Sequence, residues 1–198
     1  MIGEQSNHMH TYHIVQDVTI SLWLANMYGI AFALLTGIVF WYPFISVWSW
    51  KYITAQFHSF PSVLFLSSLL ALIVVHEVLH GMGFYFFGNV LRQHVRFGFQ
   101  WKSLTPYAHC SEPMRSRAYR IALLLPMLLL GIIPSIISLI LGDVFLAALG
   151  FIMIAAAGGD AAILLSIRKI APDVLVLDHP KRAGCLIVQM TDQTTNQS

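Results

Sequence analysis

The chain has 198 residues, 57% of them hydrophobic and only 10% charged, with a mean hydropathy of +0.71. Soluble domains carry about 25% charged residues; these values place the chain among membrane proteins, long enough for four or so membrane helices but too short for several soluble domains. A net charge of +2 and a pI near 8.6 are too small to argue for a nucleic-acid partner.

The first twenty residues, MIGEQSNHMHTYHIVQDVTI, hold no Lys or Arg, so the basic n-region of a secretory signal is missing. His8, His10 and His13 read as a solvated cluster with no function implied. A span needs about 20 mainly apolar residues. Four stretches qualify, over roughly 20–46, 61–88, 117–141 and 144–167. Pro126 and Pro134 predict bends in the third, because each removes a helix hydrogen bond.

Between the second and third spans, Val95, Phe97, Phe99 and Trp101 alternate with Arg96, Gly98, Gln100 and Lys102. That period of two predicts a strand with one apolar face. A second short strand near YAHC closes a hairpin expected at the membrane surface. Ser111, Glu112 and Pro113 then read as a helix start, with Ser111 as cap and Glu112 as dipole partner. After the fourth span, DVLVLDHPKRAGCLIVQM reads as two short strands around a turn, with Asp178 and Pro180 favouring turn chemistry at His179. The expected fold is all-α integral membrane, a single domain over residues 1–190, with a hairpin between helices two and three and a disordered tail at 191–198. Cys110 and Cys185 are far apart and in no C-x-x-C pairing, so no disulfide framework is implied.

Lys and Arg set the orientation. The link between spans two and three and the tail after span four hold 10 of them; Lys51 is alone on the other side. Both termini and the hairpin are therefore expected to be cytoplasmic, which fits the unpaired cysteines.

The second span carries VVHEVLHGMGF. On a helix, His76 and His80 project from one face and can hold one metal ion. Glu77 sits beside that face, within reach of a metal-bound water whose proton it can take as general base. Charged groups at mid-span cost about 3 kcal/mol each on insertion scales, and a metal with a water supplies the partner they need. A catalytic zinc usually has three protein ligands. Asp160 is the candidate third: it is the one ionisable residue between Asp143 and Arg168. Counted from the starts of their spans, His80 and Asp160 differ in depth by about 3 Å. The small residues around Asp160 allow close helix approach. His109 lies near this end and is a candidate substrate or oxyanion contact; His58 and His94 sit near span ends.

HEVLHG, HCSEPM, GGD and LDHPKRAG, in that order over about residues 70–188, resemble the putative zincin peptidase family of small bacterial integral membrane proteins. More distantly, the H-E-x-x-H helix with a later Gly-Asp looks like the site-2 protease group of intramembrane metalloproteases. That resemblance implies a zinc cofactor, His76, His80 and Asp160 as ligands, Glu77 as base, a membrane protein or peptide substrate, and a bacterial cytoplasmic membrane location. The asparagine and prolines that site-2 proteases carry before their aspartate are alanines and glycines here, and no PDZ-like domain is present. An intramembrane substrate must be extended, and the strand around 94–101 is the candidate to pair with it by edge addition. The rival readings are a non-catalytic metal carrier or sensor, a haem- or quinone-type four-helix bundle, and an inactive adaptor.

Overall fold

The structure, a computed structural model, describes residues 12–101, 105–180 and 182–191. Four helical stretches in it are long and apolar enough to cross a membrane: Trp23–Trp48, Ser62–Gly88, Ser116–Leu141 and Val144–Ser166. They match the four expected spans to within a few residues. The expected all-α class holds for these spans, but strands contribute more than the one hairpin. A nine-residue strand, β1 (Tyr12–Ile20), precedes the first helix, α1 (Leu22–Trp48). A short helix, α2 (Trp50–His58), fills the link to α3 (Ser62–Gly88).

The expected hairpin is present as β2 (Val95–Gln100) and β3 (Thr105–Cys110), with Phe97 opposite Ala108 and Arg96 opposite His109. Lys102, expected at the end of the first strand, lies outside the described residues, as do His8, His10 and the tail beyond Thr191. The helix expected to have Ser111 in its cap position begins four residues later, with Arg115 in that position. Ser111 instead turns its N–H and hydroxyl to the His94 carbonyl, at 2.9 and 3.2 Å. The two-residue strand β4 (Met114–Arg115) follows, and then α4 (Ser116–Pro126). No side chain caps α4. Its first N–H groups, on Ser116 and Arg117, donate to the carbonyls of Val174 and Pro172, so the helix end is satisfied from a distant loop.

The prolines of the third span act on the hydrogen-bond ladder. Between α4 and α5 (Ile133–Leu141), residues Met127–Ile132 form a π-helical stretch, with the Ile133 N–H donating to Leu128. Pro134 has no N–H to continue the α ladder, and one wider turn absorbs the mismatch. The fourth span is also two helices, α6 (Val144–Ala156) and α7 (Gly158–Ser166), broken at Ala157. Gly158 packs on α1: a Cβ there would stand 2.6 Å from the Gly29 Cα.

The two expected C-terminal strands are β5 (Leu175–Asp178) and β6 (Ala183–Met190). They join the outlying strands in an antiparallel sheet of order β1-β6-β5-β4. A buried cluster including Phe84, Cys110, Tyr119, Ile163, Val176 and Cys185 ties α3, α4 and α7 to the hairpin and this sheet. The sheet, hairpin and helix ends thereby form one packed unit around the inner faces of α3, α4 and α7.

Candidate metal centre

His76, Glu77 and His80 are the only polar groups stronger than a hydroxyl in α3. Both imidazoles are buried, 8% and 6% exposed. Their ring centroids are 4.9 Å apart, as expected of residues one turn apart on a helix face. Asp160 arrives from the first turn of α7, three residues past the break at Ala157. Its Oδ2 stands 3.2 Å from His76 Nε2 and 3.4 Å from His80 Nε2. The three donor atoms lie within 4.8 Å of one another.

The donor chemistry fits a metal ion. His80 Nδ1 is 2.9 Å from the Ala122 carbonyl. A carbonyl only accepts, so that nitrogen carries the proton and the neutral ring turns its Nε2 lone pair toward Asp160. Lone pair and carboxylate oxygen then face each other at 3.4 Å, an arrangement that a shared cation, whether a proton or a metal ion, satisfies. Around tetrahedral zinc with bonds of about 2.0–2.1 Å, ligand atoms stand roughly 3.3 Å apart, close to both observed separations. The Ala122 carbonyl supplies the outer contact that orients a metal-binding histidine. It reaches His80 because α3 and α4 nearly touch: a Cβ on Gly83 would lie 2.5 Å from the Ala122 Cα.

Glu77, half-buried beside the two imidazoles, is approached by the Ala108 backbone N–H. The hairpin register explains this contact. The Ser111 N–H bonds the His94 carbonyl, so in strict alternation Arg96/His109 and Gly98/Tyr107 exchange ladder bonds. Phe97/Ala108 and Phe99/Pro106 are then the pairs whose backbone groups point outward. The outer edge of β3 runs past Glu77, while Phe97 of β2 packs over Gly81.

A family model described as putative zincin peptidase matches residues 69–175, just over half the chain. The chain belongs to the putative zincin peptidase family. The matched stretch contains His76, Glu77, His80 and Asp160, and the family description points to a zinc metallopeptidase. No curated protein and no solved structure matches the chain.

The other sequence candidates lie on the hairpin, the sheet and the helix ends. His109, on β3, bonds Asp178 through Nδ1 at 2.7 Å. Glu112 is no helix-dipole partner, since α4 starts beyond it; its carboxylate lies 3.4 Å from His94 Nε2. His179 holds the β5–β6 turn, accepting the Arg182 N–H at 2.9 Å. His58 ends α2, and His13 lies on β1. Burial pushes the thiols of Cys110 and Cys185 up to about 12, so both are packing groups. Sequence reasoning missed the Ala122 carbonyl, the Ala108 N–H and the role of Asp178. The first two are backbone groups without a residue-type signal. Asp178 stood in a quoted motif, but was assigned only to the turn.

Proposed function

We propose that this chain is a zinc-dependent peptidase acting within a membrane, with His76, His80 and Asp160 as ligands and Glu77 as general base. One observation carries the reading: a single Asp160 oxygen faces the Nε2 atoms of two buried imidazoles on another apolar helix, at 3.2 and 3.4 Å. Bound there, zinc supplies a Lewis acid that polarises the scissile carbonyl and acidifies water. Glu77 takes a proton from the attacking water as the oxygen bonds to the carbonyl carbon. It returns that proton to the leaving nitrogen as the C–N bond breaks.

The substrate segment is extended and lies along the outer edge of β3, where the Pro106 and Ala108 carbonyls face the site. This moves the pairing edge from the strand around 94–101 to its partner, a change supported by the Ala108–Glu77 contact. The distribution of Lys and Arg supports both termini and the hairpin on the cytoplasmic side, with hydrolysis nearer that side. The spacing of the ligands on two spans supports a mechanism of the site-2 protease type, and the family resemblance supports a bacterial cytoplasmic membrane.

Metal analysis and a peptidase assay on protein in lipid nanodiscs test this reading, with internally quenched peptides and candidate membrane proteins as probes. Glu77→Gln keeps about one zinc per chain and loses roughly 10²–10⁴-fold in rate. Asp160→Ala loses the zinc as well. A wild-type protein that binds zinc and cleaves nothing would favour the carrier or sensor reading. Unimpaired hydrolysis by Glu77→Gln would remove the assigned base.

A further inference from the structure

Gly159 stands next to the candidate ligand Asp160 and packs on nothing. A Cβ built on it would meet no atom within 4 Å among the described residues, and the residue is exposed at mid-span. Its neighbour Gly158 is the opposite case: it is buried, and a Cβ there would stand 2.6 Å from the Gly29 Cα on α1. Gly159 also lacks the positive φ that calls for glycine. Neither packing nor backbone conformation accounts for it, and glycine costs a helix about 1 kcal/mol against alanine. We propose that Gly159 is a specificity-determining residue, leaving room on the general base's side of the metal centre for a large side chain next to the scissile bond. The assignment rests on the peptidase reading above and narrows its substrate to an unwound segment with a bulky apolar residue beside the bond that is cut.

Helix geometry fixes the side. The fourth span and α3 run in the same direction, because their contacts advance together. Phe65 meets Phe145 with ring centroids 5.5 Å apart, His76 and His80 meet Asp160, and Phe84 and Ile163 share the buried cluster beyond. Each residue turns an α-helix by about 100°. Seen from the N-terminal ends, Glu77 follows His76 and lies one step clockwise on α3. Gly159 precedes Asp160 and lies one step anticlockwise on α7. For two parallel helices whose ligands face each other, both steps lead to the same side of the plane through the two axes. The hairpin is on that side as well, since the Ala108 N–H approaches Glu77.

A substrate placed for attack by a water at Glu77 therefore passes along Gly159. The Cα atoms of Gly159 and Asp160 are one peptide unit apart, about 3.8 Å, so a side chain flanking a bond held at the metal falls over the glycine. Ala156, three residues earlier, is also small and exposed. Any side chain at 159 would occupy the space that the substrate side chain needs, without touching the ligands or the packing of α7 on α1.

The test uses the full-length protein in nanodiscs and internally quenched peptides with one scissile bond, identical except for Ala, Leu or Phe on either side of it. The wild type is expected to cleave the Leu and Phe peptides at least as fast as the Ala peptide. Gly159→Leu lowers kcat/KM for a large residue at one flanking position by roughly 10–200-fold relative to alanine there. Gly159→Ala shifts the same ratio in the same direction by less, and it decides alone if the leucine variant does not fold. Zinc content stays at the wild-type level in both. An unchanged ratio, an equal loss for every peptide, or loss of zinc from both variants would each overturn the assignment. Cleavage by the wild type that Glu77→Gln abolishes upholds the peptidase reading whatever Gly159 does. A wild type that cleaves none of the peptides overturns both readings together.

Discussion

Gly83 is the position where packing and metal binding are most directly joined. Placing a methyl group there puts a carbon 2.5 Å from the Ala122 Cα, where non-bonded carbons stand about 3.5–4.0 Å apart. Relief of that overlap requires α3 and α4 to separate by roughly 1 Å. The His80 Nδ1 to Ala122 carbonyl distance, 2.9 Å, then opens to about 3.9 Å and the hydrogen bond is lost. Loss of such an outer contact lowers metal affinity by roughly 10–100-fold, or about 1.4–2.7 kcal/mol. Gly83→Ala is therefore expected to weaken zinc binding by that factor, measured by competition with a chromophoric chelator in detergent. Gly159→Ala is the control. It lies beside Asp160, yet its Cβ would meet nothing within 4 Å, and alanine favours the helix by about 1 kcal/mol. Its zinc affinity should equal wild type. Wild-type affinity in a folded Gly83→Ala protein, or equal weakening in both variants, would refute the link between helix approach and His80 orientation.

Two further outcomes follow from the hairpin and the core. Ala108→Pro removes the N–H that meets Glu77 and stiffens the edge proposed for substrate; cleavage should fall at least about 10-fold with zinc content unchanged, and unchanged cleavage would place the substrate elsewhere. Cys110 and Cys185, both fully buried, should resist maleimide labelling at pH 8 until denaturant is added, as followed by mass spectrometry. A free thiol ionises near 9 and these near 12. The unfolded chain releases those protons first, so stability should decline as pH rises from 9 toward 12 and be indifferent to these groups below 9.

The candidate metal centre was legible because long apolar helices offer a quiet background. In α3 the triplet His76, Glu77, His80 stands alone among apolar and hydroxyl residues, and the same holds for Asp160 in its span. Helical period and depth then sufficed to bring them together. The hairpin was legible from its period-two pattern at 95–101. β1 was not: a sequence such as YHIVQDVTI mixes polar and apolar residues and acquires its strand form by pairing with β6, residues 183–190, a non-local partner invisible in a local window. The start of α4 was misplaced because capping residues at 111–113 signal only when the chain leaves those N–H groups free. Here carbonyls from 172 and 174 serve α4 instead.

Helix α4, which the sequence marks with no chemical motif, organises the centre. Within four residues it engages three parts of the molecule. Tyr119 bonds Asp178 in the sheet, and Arg120 bonds the Ile167 and Ile170 carbonyls just past the end of α7, at 2.7 and 2.5 Å. The Ala122 carbonyl orients His80. These contacts explain why α4 begins where it does. If it started at Ser111, these residues would keep their helical spacing but enter the bundle displaced by more than a turn. The late start, set by backbone pairing through β4 and the 172–174 loop, brings Tyr119, Arg120 and Ala122 level with their three partners. A site whose ligands come from two spans thus has its geometry set by a third, through one hydroxyl, one guanidinium and one carbonyl. Residue-type patterns single out the ligands themselves, whereas the register of α4 depends on tertiary contacts.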